Sequence, residues 1–319
     1  MTRPSAWKPC SCPLQCVSLC LLALTATFRA AAQTPLPPPA PSPPGVSAPQ
    51  PIPVTVTVRD KKGRILTDFA REDFRILVDK RQQEIVSFQK PGESRPVVGL
   101  LLGASGDWAE QRSAQLEAAI LELVRAVVRQ KGLMFVAAFG EAGMEETELT
   151  STVGVLEQAV RRWRSMLPLR RMALFDAIHW ACTHRVAAYE GRRSLIVIST
   201  VRDYFPRLPR AEVRRVVALT HTSVYYLGLW PPFTPATGTA EVIYNLEEFA
   251  YLSKLAGGGA RVLRNSSEYE ESFLRIAEDL GGQYLLLFVP DAPPDSRRPR
   301  KLKVEVTRKD ARVSSRKAY

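Results

Sequence analysis

The sequence predicts an α/β protein: a doubly wound, mainly parallel sheet with a small accessory β-sheet formed by N- and C-terminal segments. Three observations predict it. From residue 97 onward, apolar runs of strand length alternate with helical patterns, and repeated β-α alternation builds a mainly parallel sheet with helices on both faces. The first of these runs, VVGLLL at 97–102, is apolar throughout, as strands buried on both faces are. Residues 54–90 read instead as all β, and some forty residues bury too little core alone, so the distant KLKVEVTR (301–308) is their expected partner.

The elements follow in order. VTVTVRD (54–60) alternates with period two, KKGR is a turn, and DFAREDF is a connecting segment. RILVD and EIVSFQK then read as a hairpin across the polar turn KRQQ (80–83). After 97–102 comes a helix over 109–132 with Leu116, Ile120, Leu123, Val124 and Val127 on one face and Gly132 at its end. LMFVAAF, SLIVIST, SVYYLGLW and QYLLLFVP are further strands. VGVLEQAVRRWRSML, RMALFDAIHWACTHRVAAY, RAEVRRVVALTH, NLEEFAYLSKLA and SEYEESFLRIAEDL are helices. Gly257, Gly258 and Gly259 follow a helix and lack the Gly-Lys-Ser/Thr of a phosphate loop, so they read as helix-ending glycines.

Ahead of the fold, residues 1–32 carry Arg3 and Lys8, an apolar run, and Ala30-Ala31-Ala32. That is the pattern of a cleaved secretory signal peptide, its apolar core being short of the ~20 residues that span a bilayer. Residues 33–53 are a proline-rich linker. The remaining expected divisions are a small β segment at 54–92, the main α/β domain at 96–290, and a C-terminal strand and tail at 291–319 packing on the small segment. The expectation is an exported protein, periplasmic or secreted, with no transmembrane span once the signal is removed. Cys10, Cys12, Cys16 and Cys20 lie in the signal, so Cys182 alone remains, which permits no internal disulfide; in a helical pattern it reads as small-residue packing.

The net charge is +12; residues 1–32 hold three basic residues and no acid, leaving +9 beyond them. Such a balance favours anionic surfaces, an envelope surface among them. The basic residues are scattered and no nucleic-acid-reading motif accompanies them, so no nucleic-acid partner is expected.

Several segments in series carry a family resemblance. An apolar strand, a small-residue turn and a helix at 97–132 resemble the signature of von Willebrand factor type A domains. VTVRDKKGRILTDFAREDFRILVD, MALFDAI, QYLLLFVP and RKAY, in that order, resemble the VWFA-related domain proteins of acidobacterial type, over about residues 50 to 319. The resemblance implies a von Willebrand factor A-like, Rossmann-like fold with its ligand site at the C-terminal ends of the central strands. In competent members a divalent cation sits there, held by a D-x-S-x-S turn, a Thr on a second loop and an Asp after the fourth strand.

This chain departs from that pattern. Gly103 stands at the leading Asp, Ser105 is retained, Asp107 stands at the second Ser, Met172 at the Thr, and Thr200 at the late Asp. Mg²⁺ asks for oxygen ligands, and methionine sulfur suits it poorly. The resemblance therefore implies a degenerate metal site and no cofactor. The alternative is a weak, rearranged site for Mg²⁺ or another divalent cation using Ser105, Asp107 and Asp203; against it, Asp107 reads as a cap of the following helix and Asp203 as an exposed loop residue. Arg170 and Arg171 either supply positive charge for a partner carboxylate or are ordinary solvated arginines. Trp108, Tyr204, Phe205, Trp230 and Phe233 give the strand-end loops aromatic groups, suited either to contact with a protein partner or to packing of the loops themselves.

An enzyme is not expected. His179 and His184 are five apart, off the i, i+4 spacing of a helical metal pair, and neither belongs to an H-E-x-x-H pattern. Around Ser105, GASGD lacks the final glycine of a nucleophile elbow. The expected function is an adhesion-like protein-binding module. A metal-dependent adhesion module with rearranged ligands and a structural envelope-assembly component are the alternatives.

Overall fold

The computed structural model describes residues 50–103, 110–140, 143–165, 173–200, 207–229, 239–291 and 299–319. In chain order the strands are β1 (Ile52–Arg59), β2 (Phe74–Val78), β3 (Arg81–Gln83), β4 (Ile85–Gln89), β5 (Pro96–Gly103), β6 (Leu133–Gly140) and β7 (Gly143–Glu146). They continue as β8 (Arg192–Thr200), β9 (Ser223–Leu229), β10 (Ala260–Leu263), β11 (Gln283–Phe288), β12 (Leu302–Val306) and β13 (Arg312–Ser315). The helices are α1 (Glu110–Arg129), α2 (Val153–Ser165), α3 (Leu174–Trp180), α4 (Arg210–Leu219), α5 (Thr239–Ala256) and α6 (Ser267–Gly281). A π-helical turn, Ala181–Val186, prolongs α3.

Six strands form the central sheet in the order β10-β9-β8-β5-β6-β7, parallel except for β7. Every residue of β5, β8 and β9 is buried, as the uninterrupted apolar runs require. One face carries α1, α2 and α6: Leu116, Ile120, Leu123, Val124 and Val127 of α1 all enter the core with Trp163 of α2 and Phe273 of α6. The other face carries α3, α4 and α5, through Phe175, Val213 and Phe249 among others. Each fully buried aliphatic or aromatic side chain of these layers contributes roughly 1.5–3 kcal/mol relative to exposure. The fold is thus the expected α/β class.

The accessory part is two antiparallel sheets rather than one. Their orders are β13-β1-β11-β4 and β12-β2-β3, and they pack face to face around Val54, Val56, Ile76, Tyr284, Leu286 and Val304. Four details differ from the sequence reading. The hairpin turns at Asp79-Lys80, whose φ values of 47° and 71° suit a two-residue turn matching strand twist, so Arg81–Gln83 is strand and not turn. β4 leaves that hairpin for β11, where Phe88 stacks on Tyr284 with ring centroids 5.7 Å apart. β11 itself, read as part of the main domain, pairs antiparallel with β1. β1 begins at Ile52, inside the span read as linker, because Ile52 is buried in this sandwich core. Residues 1–49, holding the expected signal and most of the linker, lie outside the described residues.

The outer face of the four-stranded sheet meets the central sheet at the start of β9. There Thr55 Oγ1 and Ser223 Oγ share a hydrogen bond of 2.9 Å, and Gln283 donates to the Tyr225 hydroxyl at 3.2 Å. The sandwich therefore abuts the amino ends of the parallel strands and leaves their carboxyl ends clear of it.

Candidate functional site

Strand order reverses at β5, which has β6 on one side and β8 on the other. In sequence β5 is followed by α1 on one face and β8 by α4 on the opposite face, which makes the carboxyl ends of these two adjoining strands the topological switch point of the sheet, the place of the crevice in such folds. Such a switch point at the carboxyl ends of strands is where open α/β sheets bind ligands. Gly103 ends β5 and Thr200 ends β8, the expected positions at the crevice floor.

Thr200 is 1% exposed, and its hydroxyl has no hydrogen-bond partner among the described residues. Its carbonyl accepts from Ser199 Oγ at 3.0 Å and from the Tyr226 hydroxyl at 3.4 Å. Below these groups lies a column of rings. Tyr226 of β9 stacks on Phe249 of α5 (centroids 3.8 Å, 12°), and Phe249 stacks on Phe175 of α3 (4.8 Å, 3°). The Arg210 guanidinium, opening α4, caps the column 4.1 Å from the Phe175 centroid and donates to Asn245 at 2.6 Å. Gly228 makes room for it: a Cβ there would lie 2.8 Å from the Tyr226 ring. The column gives the floor a rigid base joining β9, α3, α4 and α5.

Asp176, in the first turn of α3, organises the rim. Its carboxylate accepts the main-chain amides of Arg207 and Leu208, each at 3.1 Å, just ahead of α4. Next to it, Arg214 of α4 holds the buried Glu248 of α5 through two hydrogen bonds.

Of the residues picked out from the sequence, Gly103 and Thr200 come to the carboxyl ends of adjoining strands. Ser105, Asp107, Trp108, Arg170, Arg171, Met172, Asp203, Tyr204, Phe205, Trp230 and Phe233 lie outside the described residues. A hard divalent cation requires an oxygen-rich shell, usually with carboxylates. Gly103 has no side chain, Thr200 offers a neutral hydroxyl, and Asp176 is committed to two amides. The described groups do not fit such an ion, and among the described residues no cluster of three His, Cys, Asp or Glu side chains has metal-holding geometry. The sequence reading passed over Asp176, Arg210 and the stacked rings. A carboxylate in the first turn of a helix was the signal available for Asp176.

The three histidines are engaged structurally. His179 lies 3.7 Å from Glu212, His184 Nδ1 shares a hydrogen bond of 2.7 Å with Thr183, and His221 contacts Arg316. Burial, together with Arg316 and Arg193, pushes the His221 pKa down to about 2, so its imidazole stays neutral. Cys182 is fully buried, and desolvation pushes its thiol up to about 12.

No protein-family model and no curated protein matches the chain. Among solved structures it is similar to the conserved hypothetical protein BatB from Bacteroides thetaiotaomicron, at 16% identity over 58% of this chain and 98% of that one, with a TM-score of 0.45. It is similar to the PilB minor pilin from Streptococcus sanguinis at 9% identity, over 59% of this chain and 61% of the pilin, with a TM-score of 0.44. Proximal thread matrix protein 1 from the mussel byssus, solved with a zinc-occupied MIDAS motif, is similar at 14% identity over 58% of this chain and 48% of that one, TM-score 0.44. The chain thus spans less than two thirds of the pilin and of the mussel protein.

Proposed function

We propose that this chain is an exported, non-enzymatic protein-interaction module of the von Willebrand A type, binding its partner through the strand-end loops without a metal ion. The observation that carries the reading is the pair Gly103 and Thr200, which among the described residues ends β5 and β8 without a carboxylate. Without fixed negative oxygens a magnesium-sized ion is not retained, and recognition falls to shape, aromatic contact and side-chain charge. The engaged state of His179, His184 and His221 supports the non-enzymatic part. Among the described residues no helix is long and apolar enough to cross a membrane, which is compatible with export as a folded module.

One observation favours the metal-dependent alternative: the Thr200 hydroxyl is buried without a described partner, as a group awaiting a ligand or water would be. Isothermal titration with Mg²⁺, Mn²⁺ and Ca²⁺ separates the two. The expected result is no saturable heat at millimolar cation. Micromolar binding that disappears in Asp107→Ala would replace this reading with a rearranged metal site.

A further inference from the structure

Along α4 and α5, away from the strand-end crevice, lies a second concavity of about 1550 Å³. Its other wall is the three-stranded sheet and the C-terminal segment, through Leu77, Leu302 and Lys317. Most of the floor is apolar, supplied by Leu77, Ala218, Tyr251, Leu255 and Leu302. The volume exceeds the ~300–1,000 Å³ of ordinary small-molecule pockets, which favours a polymer segment as occupant.

The charge around this floor does not balance. Asp79 is bound to Arg300 at 2.9 Å, Glu212 to Arg215 at 2.6 Å, and Lys303 to Glu305 at 2.5 Å, while Arg214 holds Glu248. Those pairs cancel. Lys80, Lys254, Lys301 and Lys317 are left, none with a carboxylate within ion-pair distance among the described residues. Lys317 is half-buried, and burial together with Lys254 and Lys303 holds its ammonium pKa below the usual value. Four uncompensated ammonium groups above an apolar floor form a surface complementary to carboxylates interspersed with apolar side chains.

We propose that this cleft is a second binding site, distinct from the strand-end loops, for an acidic and partly apolar peptide segment of a partner protein. Phosphate- and sulfate-rich polymers are the less suitable occupants. They are recognised best by planar arginine forks, and here Arg214 and Arg215 are already committed to glutamates. Lysines at dispersed positions suit separated carboxylates, and the apolar floor gains only from a ligand that brings apolar side chains of its own.

The test is fluorescence anisotropy with the full-length chain and a labelled ten-residue peptide alternating Glu and Leu. Saturable binding is expected, weakened ~10-fold in the double variant Lys254→Gln/Lys301→Gln. The control Lys62→Gln, in the turn after β1, is expected to bind as wild type. Both lysines of the double variant are exposed, so thermal unfolding should be unchanged and folding is not at issue. Absence of peptide binding, or equal binding by the double variant, would overturn the proposal. So would a stronger lysine-dependent response to heparin or to anionic lipid vesicles than to the peptide, which would assign the cleft to a different polyanion. The outcome is independent of the cation titration, so failure here leaves the strand-end reading standing.

Discussion

Asp176 accepts the main-chain amide of Leu208 at 3.1 Å, joining the first turn of α3 to the segment just ahead of α4. The same carboxylate also takes the Arg207 amide. Two segments 32 residues apart in sequence are thereby set in register at the rim of the crevice. A hydrogen bond to a charged acceptor is worth about 1.5–3 kcal/mol when buried and less where water competes, as it does around the exposed Arg207. Asp176→Ala is expected to lower stability by about 1–2 kcal/mol and to raise amide hydrogen exchange selectively at Arg207 and Leu208. Unchanged exchange at those two amides would show that the carboxylate does not hold the rim.

The ring column makes a larger claim. Phe249 lies between Tyr226 and Phe175 and is 1% exposed, so removing it leaves a void that three elements line. Phe249→Ala is expected to cost about 3–5 kcal/mol in chemical denaturation, whereas Phe249→Leu, keeping most of the volume, costs less. A loss below 1 kcal/mol would mean that the column closes without it.

Much of this architecture was legible because hydrophobic period is a local signal. The continuous apolar runs of β5, β8 and β9, and the face of α1 from Leu116 to Val127, each state their burial within a few residues. Pairing across long sequence separations was less legible. Nothing local in QYLLLFVP says that it joins β1 rather than the parallel sheet, a choice made by Phe88, Tyr284 and the rest of the sandwich core. The charge count misled in one respect. Arg192, Arg193 and Arg316 are buried, donating to the carbonyls of Leu280, Ala187 and Ala218 near helix carboxyl ends, so their guanidinium groups count toward the net charge but are not presented for direct contact with a partner. The strand ends at Gly103 and Thr200 were legible as local apolar runs, but Asp176 and Arg210 act on partners far away in sequence.

Cys182 provides a chemical check on the packing of α3 against the sheet. The thiolate is the reactive form, and with burial pushing the thiol up to about 12 the group stays protonated at pH 8. Exposure to a thiol reagent followed by peptide mapping is therefore expected to leave Cys182 unmodified in the native chain and to modify it fully once denatured. Cys182→Ser is expected to destabilise by about 1 kcal/mol, the low end of the cost of burying a hydroxyl in an apolar core, because Thr220 lies within hydrogen-bonding reach of this position. Rapid native-state labelling would mean that the π-helical turn opens readily.

Acid sensitivity should trace in part to the turn between β2 and β3. Arg300 bonds Asp79 at 2.9 Å and Asp291 at 2.6 Å, holding both carboxyls below the usual value of 3.8. A carboxyl whose folded pKa is depressed adds stability above its unfolded pKa, and that stability is lost as pH falls through the folded value. Both contributions are thus present at pH 5 and disappear below about pH 4. Asp279 works in the opposite direction. Burial outweighs its ion pair with Arg59 and raises its pKa, so it favours the folded state more as pH falls toward 3.8. The wild-type pH profile therefore mixes two signs, and the comparison with Asp79→Asn isolates one of them. Denaturant midpoints measured from pH 7 to pH 3 should fall less steeply below pH 4 in Asp79→Asn than in wild type. Parallel profiles would mean that the Arg300 pairing contributes nothing to folding, leaving the turn to its backbone geometry alone.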